Sequence, residues 1–493
     1  MLTVHVRVSD AATRQPTPVR IRLVDDTGVC RMPFGRLAAF AIGPGEDVGG
    51  QVQLGGEVFA YIDGACEVRL PSGPVRVQIH KGPEYLPLDR EVVLGPGKIS
   101  LRLEVERWFD PHAQGWYSGD CRAHELSPHA ARLEGAAEGL DVVNLLARQR
   151  ASQAGHPAAF VNLLAFSGTQ PTLEGAPCVV VNTRNTHPVL GTLALLNSHR
   201  PVYPLRFGAP DGLDDWSISD WCDQCHRKKG LVVWPDAPRL TPEHPQGEAL
   251  AALLLGKVDA FEICHLDSPQ SKTLDDWYRL LACGQRLPLV GASGKDCNAV
   301  ALGAVRTYAR LEPDQDFSYG AWIEAIREGR TIVTDGPFLS LSVDEHGPGS
   351  VLSVPEEGRT VRVRAEARSA TPFERLELLH NGEIVAVGEA NGERPTATFE
   401  RELRIDASGW LAARCLGSEN RPRLRAHTSP VYLQNEGEPP RPSAETVAPL
   451  LAVLDATLAW VHRDARCANE HQREQLAETL QTARQELLGR VKA

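Results

Sequence analysis

Short apolar runs recur along the middle of the sequence, and each ends in a polar or small residue. The runs are GLDVVNLLA (139–147), PCVVVNT (177–183), GLVVWPD (230–236), VDAFEIC (258–264) and LPLVGAS (287–293). Apolar runs without alternation are typical of strands that are buried on both faces, as in a parallel sheet or barrel covered by helices. The stretches 246–257 and 274–284 have the pattern of such helices. In parallel α/β folds the ligand site gathers where strands give way to loops, so we expect the polar ends of these runs to line one pocket.

The sequence on either side of this region alternates apolar and polar residues, which is typical of half-buried strands. Together the patterns predict a multidomain α/β + β protein with a central α/β barrel between two β-sandwiches. The predicted parts are a β-sandwich at 1–105, the barrel at 106–335, a second β-sandwich at 336–435, a Pro-rich linker at 436–443 and a helical hairpin at 444–493.

Two local signals fix details of the C-terminal parts. Asn381-Gly382 lies between two apolar arms and predicts a tight β-hairpin. Ser443 precedes a helical pattern and is a candidate N-cap. The apolar residues expected to face the core in the helical hairpin are Leu451, Leu454, Leu458, Val461, Leu476, Leu480, Leu487 and Val491.

Composition limits the class of protein. The formal net charge of -11 argues against non-specific nucleic-acid binding, which needs a basic surface. No run approaches the ~18 apolar residues of a membrane span, and the N-terminus lacks the apolar block of a signal peptide, so we expect a cytoplasmic protein without membrane contact. The 11 cysteines are odd in number and scattered, which predicts reduced thiols, and WCDQCH (221–226) predicts a helix with Cys222 and Cys225 on its inner face.

The segment GWYSGDCRAHE (115–125) carries the most informative polar residues. Asp120, Arg122 and His124 share one side of an extended chain, because strand side chains alternate between faces. Two histidines at such spacing would bind a metal together, but arginine stays protonated and cannot be a ligand. A buried arginine needs an acid or an anionic ligand, and Asp120 and Glu262 are its expected internal partners.

Taken in order, the motifs of residues 105–345 resemble those of the PHP (polymerase and histidinol phosphatase) domain superfamily, in its carbaryl-hydrolase-like metallohydrolase branch. GWYSGDCRAH is similar to the opening Gly-Asp-x-His-x-His of that family, NTHPVLGTLALLN to its segment with a central His, and LPLVGASGKDCN to its late Ser-Asp-x-His. The resemblance implies a distorted α/β barrel with up to three divalent metals. It also implies hydrolysis of phosphoesters, esters or amides by metal-activated hydroxide.

The positions where the resemblance places metal ligands are largely substituted. An arginine replaces the first histidine of the opening pair, and the late aspartate position carries glycine. The acid-His pair falls on residues without suitable donors, so the family's multinuclear centre cannot form in its usual way. The substituted positions are Arg122, Ala147, Arg148, one of Asn182, Thr183 or Arg184 (for the carboxylate expected shortly before His187), Trp234 or Asp236 (depending on the register) and Gly294.

Three functional hypotheses follow. The first is a hydrolase with a reduced site that binds one divalent ion (Zn²⁺, Mn²⁺ or Fe²⁺) through His124, His187, Asp236 and Asp296. The second is a metal-free, non-catalytic relative whose pocket binds a small anionic ligand or merely holds the fold together. The third is a scaffold that acts through its β-sandwiches, which an exposed aromatic row would favour. In the second hypothesis the cations are Arg122, Arg148 and Lys295, and the other pocket residues are Asp120, Glu262 and Asn298.

Overall fold

The protein has a mixed α/β fold with several sheets, as the sequence predicts at this level. The computed structural model describes residues 1–43, 48–97, 99–152, 158–173, 175–210, 212–235, 240–243, 246–264, 266, 272–417, 423–435 and 437–491. The described residues form 27 strands and seven α-helices.

The chain divides into two compact units. The first unit comprises Met1–Leu145, Pro171–Val180 and Ala292–Tyr308, and the second comprises Leu146–Gln170, Val181–Gly291 and Ala309–Ala493. These units are coarser than the five parts expected from the sequence, whose boundaries stay a prediction.

Eight strands at the N-terminus form two sheets around a common apolar core. Their alternation gives one buried side chain in two, as in Val4, Val6 and Val8 of the first strand. The sheet orders are β5-β1-β8 and β3-β4-β2-β6-β7. The strands are β1 (Leu2–Asp10), β2 (Val19–Asp25), β3 (Gln51–Leu54), β4 (Glu57–Ile62), β5 (Ala65–Leu70), β6 (Gly73–His80), β7 (Leu88–Leu94) and β8 (Ser100–Val105).

The segment that carries the opening motif forms a strand, a helix and a second strand. These are β9 (Trp116–Ala123), α1 (Pro128–Ala137) and β10 (Val142–Arg150). β9 pairs in parallel with the start of β10, where Asp120 lies opposite Val143. The Ser127 hydroxyl caps α1 by accepting the Ala130 N–H. β9 is buried on both faces from Ser118 onward, so its polar side chains must find partners inside the protein.

The predicted apolar runs all form strands, but the sheet that they build is mixed rather than parallel. Strands β14, β15 and β16 are parallel neighbours. Strand β13, in contrast, is antiparallel to both β12 and β14. The elements are β11 (Ala159–Val161), β12 (Cys178–His187), β13 (Gly191–Leu196), α2 (Ile218–Arg227), β14 (Leu231–Trp234), α3 (Gly247–Leu254), β15 (Ala260–Ile263), α4 (Lys272–Ala282), β16 (Leu289–Gly291), β17 (Arg306–Arg310), α5 (Tyr319–Arg327) and β18 (Thr331–Thr334).

Helix α2 confirms the interpretation of WCDQCH, because Cys222 and Cys225 are buried free thiols on its inner face. The start of the same helix meets a buried acid from α3. The main-chain N–H of Ser219 donates to the Glu248 carboxylate at 3.4 Å. Glu248 is fully buried, and this burial raises the pKa of its carboxyl to about 7.

The C-terminal strands include the predicted hairpin. Asn381 and Gly382 both have positive φ, and they join His380 of β22 to Glu383 of β23. The strands are β19 (Phe338–Val343), β20 (Val351–Val354), β21 (Arg359–Arg368), β22 (Arg375–His380), β23 (Glu383–Glu389), β24 (Thr396–Ile405), β25 (Gly409–Leu416), β26 (Leu424–Thr428) and β27 (Val431–Asn435).

Two 20-residue helices, α6 (Ala444–Arg463) and α7 (Glu470–Gly489), form the predicted C-terminal helical hairpin. The Ser443 hydroxyl accepts the Thr446 N–H, which confirms the expected N-cap. Leu451, Leu458 and Val491 are only half-buried, in contrast to the other five residues that were expected to face the core.

The length and composition of α6 also satisfy the criteria for a membrane span. Its most apolar 18-residue window has a mean hydropathy of 1.4, and 33% of that window is buried. A core helix of a soluble protein satisfies the same criteria, so the feature is weak evidence for a membrane.

Helices α3 and α6 approach each other closely at a glycine. A Cβ atom on Gly247 would lie 2.1 Å from the Thr457 Oγ1 atom, whereas one on Gly320, in the first turn of α5, would meet nothing within 4 Å. We predict that Gly247→Ala lowers the free energy of unfolding by about 1–3 kcal/mol through overpacking. The matched Gly320→Ala should leave it unchanged or raise it by up to about 1 kcal/mol. Urea unfolding measures both, and equal effects would contradict this packing.

The buried Glu248 predicts a pH-dependent stability difference. Its folded pKa of about 7 exceeds the unfolded value of 4.5, so the folded state binds the proton more tightly. The stability contributed by this proton is present below pH 4.5 and is lost as the pH rises to 7. We therefore expect Glu248→Gln to gain stability relative to the unchanged protein across this range, by up to about 3 kcal/mol above pH 7. Urea unfolding between pH 5 and pH 8 measures the difference, and a constant difference would contradict the prediction.

Candidate functional site

The end of β9 and the segment after β16 form a polar cluster within the first unit. The Asp120 carboxylate lies at its centre and accepts four hydrogen bonds. Oδ1 accepts the main-chain N–H groups of Arg122 and Ser293, both at 3.1 Å. Oδ2 accepts the Gly303 N–H at 2.8 Å and the Ser293 hydroxyl. A carboxylate offers about four acceptor sites, so these bonds saturate Asp120.

Burial raises the pKa of Asp120, while its hydrogen bonds oppose that rise. The donors are three N–H groups and a hydroxyl, all of which fit the ionised carboxylate. The sequence predicts an ion pair between Asp120 and the Arg122 guanidinium. The hydrogen bond that Asp120 accepts from this residue comes from its main-chain N–H. Asp120 therefore joins β9 to the segment 293–303.

Arg122 and Gly294, two of the substituted positions, contact each other. Gly294 has a φ of +63°, and its N–H donates to the Arg122 carbonyl at 3.1 Å. A Cβ atom on Gly294 would lie 3.2 Å from a terminal nitrogen of the Arg122 guanidinium. The buried guanidinium thus takes space that a side chain at position 294 would need. The two replacements fit each other sterically.

Lys295 is fully buried, and all three of its ammonium donors have acceptors nearby. The Nζ atom donates to the carbonyls of Val300 at 2.7 Å and Cys297 at 3.2 Å. It also lies 3.4 Å from Oε2 of Glu134, which is an ion-pair contact rather than a well-formed hydrogen bond. Burial raises the pKa of Glu134, and the Lys295 charge opposes this rise. Lys295 is predicted as an anion-binding residue, but its ammonium is fully buried, donates to two carbonyls and lies beside an internal carboxylate.

Three further predicted residues lie in the same cluster. His124 is buried, and its main-chain N–H donates to the Lys295 carbonyl at 2.7 Å. Asn298 is buried, and its side chain accepts the Gly49 N–H and donates to the Ala41 carbonyl. Asp296 is half-buried. The structure therefore brings Asp120, Arg122 and His124 together with the loop that carries the late motif.

His187 lies in the second unit and uses both ring nitrogens within the protein. Its Nδ1 accepts the N–H groups of Val189 at 3.1 Å and Leu190 at 2.9 Å. Nδ1 is therefore unprotonated, so the neutral ring carries its hydrogen on Nε2, which donates to Oδ1 of Asp214 at 2.9 Å. Burial lowers the pKa of His187, which favours the neutral ring. His187 was predicted as a metal ligand, but here neither ring nitrogen presents a free lone pair to a metal.

The His187–Asp214 pair connects β12 with the C-terminal helical hairpin. Oδ2 of Asp214 accepts the Arg466 N–H at 2.7 Å, and the Asp214 N–H donates to the Arg466 carbonyl at 3.0 Å. The His187 ring also packs edge-on against Trp460, with 5.7 Å between the ring centroids. This histidine thus supports the packing of the second unit.

The remaining predicted residues occupy separate elements. Arg148 lies half-buried on β10 opposite Val161, and Glu262 is fully buried on β15. Both belong to the second unit. Asp236 lies outside the described residues. Within the part of the chain that the structure describes, no group of three or more His, Cys, Asp and Glu side chains could hold a metal ion. The described residues therefore do not fit the metal centre that the resemblance implies.

Sequence reasoning missed Glu134 and Asp214, and it placed Ser293 at the polar end of LPLVGAS without identifying it as a partner of Asp120. Glu134 gave a weak signal, because it stands among alanines and glycines in LEGAAEG, where a buried acid needs a cation. Asp214 and Ser293 lie in loops, and their contacts with His187 and Asp120 cannot be deduced from sequence spacing.

Comparisons with known proteins do not assign a family. No protein-family model and no curated protein matches the chain. Among solved structures, two crystal structures of a β-glucuronidase from Parabacteroides merdae align with the chain, one of them with glycerol in its active site. Each has 9% sequence identity, a TM-score of 0.18 and coverage of 85% of this chain. The chain spans 60% of the length of that protein. A likeness at this TM-score carries no argument about fold or function.

We predict that Lys295→Met lowers the free energy of unfolding by about 3–5 kcal/mol, because it leaves Glu134 charged and buried without its cation. The double variant Lys295→Met with Glu134→Gln should recover much of that loss. Lys257→Met is the matched control, since Lys257 pairs with a largely exposed aspartate and should cost less than about 1 kcal/mol. Urea unfolding measures all three. A small loss for Lys295→Met, or no recovery in the double variant, would contradict the proposed pairing.

Proposed function

We propose that this chain is a non-catalytic relative of the PHP-type metallohydrolases, in which internal hydrogen bonds and ion pairs replace the metal centre. One observation carries the proposal. The late motif carries Gly294, which has no donor side chain, where the resemblance implies an aspartate, and the ammonium of the next residue, Lys295, is engaged by two carbonyls and Glu134. A fixed ammonium close to the expected metal position would repel a divalent cation.

The contacts of the neighbouring residues support the same proposal. Asp120 has four hydrogen-bond donors around its carboxylate, so a metal would have to displace them to be bound. His187 has both ring nitrogens engaged. The Arg122 guanidinium packs against Gly294, where the resemblance implies an aspartate. The protein would therefore act by binding rather than by hydrolysis.

The fold proposed with this function is the one that the sequence predicts in detail: a distorted PHP-type barrel between two β-sandwiches. The two N-terminal sheets with a shared core and the parallel strands β14, β15 and β16 support it. A cytoplasmic location and a small anionic ligand belong to the same proposal. The sequence predicts Arg122, Arg148 and Lys295 as its cations, and of these the Lys295 ammonium is engaged within the protein.

The second candidate is a hydrolase with one divalent ion. The observation that favours it is the position of His124, which is buried at the end of β9 beside the loop that carries Asp296. His124 and Asp296 would provide one imidazole and one carboxylate, which are ligand types that suit Zn²⁺, while Asp236, a further predicted ligand, lies outside the described residues. Such an ion would supply activated water for ester or amide hydrolysis.

Metal analysis of protein purified without a histidine tag distinguishes the two candidates. We expect less than about 0.1 metal ion per chain, because the Asp120 carboxylate and both ring nitrogens of His187 are engaged internally. Adding Zn²⁺ or Mn²⁺ should leave the melting temperature unchanged, whereas inorganic phosphate should raise it if the anion pocket is present. One tightly bound ion per chain, with chelator-sensitive hydrolysis of p-nitrophenyl phosphate or acetate, would overturn the proposal in favour of the hydrolase.

The variant Arg122→His tests whether one restored histidine is enough for metal binding. We expect it not to restore a full metal complement, because Ala147 and Gly294 still lack donor atoms. Recovery of three metal ions per chain would show that the positions assigned from the resemblance are incorrect.

A further inference from the structure

Strand β23 stands out from the other described strands by its exposed apolar side chains. Ile384, Val385 and Val387 are 48%, 40% and 42% exposed. No other described strand has more than one large hydrophobic residue with comparable exposure. Scattered exposed apolar residues are normal, but three of them within four positions form a patch.

The same strand is the last one in its sheet. The described order ends in β25-β22-β23, and β23 pairs only with β22. An edge strand presents main-chain N–H and C=O groups to which another extended chain can pair. Apart from an irregular register at Val385, its sequence EIVAVGE lacks the lysine and proline that commonly protect an edge.

The charges at the two ends of β23 define which chain fits. Glu383 and Glu389 are both exposed, and the strand contains no basic residue. They are six positions apart, which corresponds to about 20 Å along a strand. A second copy of this chain pairing antiparallel around Ala386 would place each glutamate opposite a glutamate, and like charges directly opposite are destabilising. The charge pattern therefore disfavours self-pairing and favours a strand with basic residues at its ends.

We propose that β23 binds an extended peptide segment of a partner protein by β-strand addition, with an apolar middle and Lys or Arg about six residues apart. Main-chain hydrogen bonds to the open edge would hold the segment, and Val385 and Val387 would contact its alternate side chains. Glu383 and Glu389 would pair with its terminal cations and determine its register. This inference does not depend on the state of the central site.

A labelled probe peptide, Lys-Thr-Val-Thr-Val-Thr-Lys, tests the proposal by fluorescence anisotropy against the full chain. We expect it to bind at least tenfold more tightly than Glu-Thr-Val-Thr-Val-Thr-Glu, and the preference should weaken with added salt. Val387→Lys should reduce binding at least tenfold, because a lysine disrupts the apolar edge and repels the probe. Val351→Lys is the matched control, since Val351 on β20 is 39% exposed but isolated, and it should leave binding unchanged.

The double variant Glu383→Lys with Glu389→Lys should reverse the preference between the two probes and bind the glutamate-flanked probe more tightly. Undetectable binding of the first probe, equal binding of both probes, or insensitivity to Val387→Lys would overturn the proposal. Sedimentation velocity tests whether a second copy of this chain occupies the edge of β23. A dimer of the unchanged protein that Val387→Lys dissociates would assign the edge to a second copy instead.

Discussion

The central polar cluster depends on a balance between buried hydrogen-bond donors and acceptors. Asp120 has about four acceptor sites and four donors around them, and Lys295 has three donors and three acceptors within reach. Breaking one such bond inside a protein leaves a polar group without water or a partner, which costs more than the bond itself contributes. The balance therefore holds β9, α1 and the segment 293–303 together as one arrangement.

This balance also explains why the substitutions in the motifs have to be interpreted together. A side chain at position 294 would contact the Arg122 guanidinium closely, with its Cβ atom 3.2 Å from a terminal nitrogen, and glycine avoids this contact. Lys295 brings a positive charge into the interior, and Glu134 provides the compensating negative charge. The steric fit and the charge pair therefore each depend on both partners.

Features determined by neighbouring residues could be predicted from the sequence. Asn381-Gly382 gives the hairpin because both residues adopt positive φ, and Ser443 caps α6 because its hydroxyl reaches the N–H three residues ahead. The apolar runs identify the strands around the candidate site for the same local reason. They do not reveal strand direction, so the antiparallel β13 between β12 and β14 was missed. Hydrophobic runs indicate which strands are buried, whereas the direction of a strand relative to its neighbours depends on the connections between strands.

The polar partners could not be predicted, because each contact joins residues far apart in the sequence. His187 resembles a metal ligand in its motif, yet two N–H groups and Asp214 occupy its ring nitrogens. A histidine in a motif indicates that its ring could bind a metal. Whether a nitrogen lone pair is available for this depends on the hydrogen bonds that the ring makes in the folded protein.

Hydrogen bonds inside the fold also limit which groups of this protein can bind other molecules. Groups that are saturated inside the fold have little left to offer a ligand, because a new bond must replace an existing one. Strand β23 presents the opposite situation, since its outer main-chain groups and its valines have no partner strand among the described residues. Binding at such an edge gains hydrogen bonds and apolar contacts without breaking internal ones. For a chain whose central polar groups stabilise the fold, recognition through an open strand edge is the energetically simpler route.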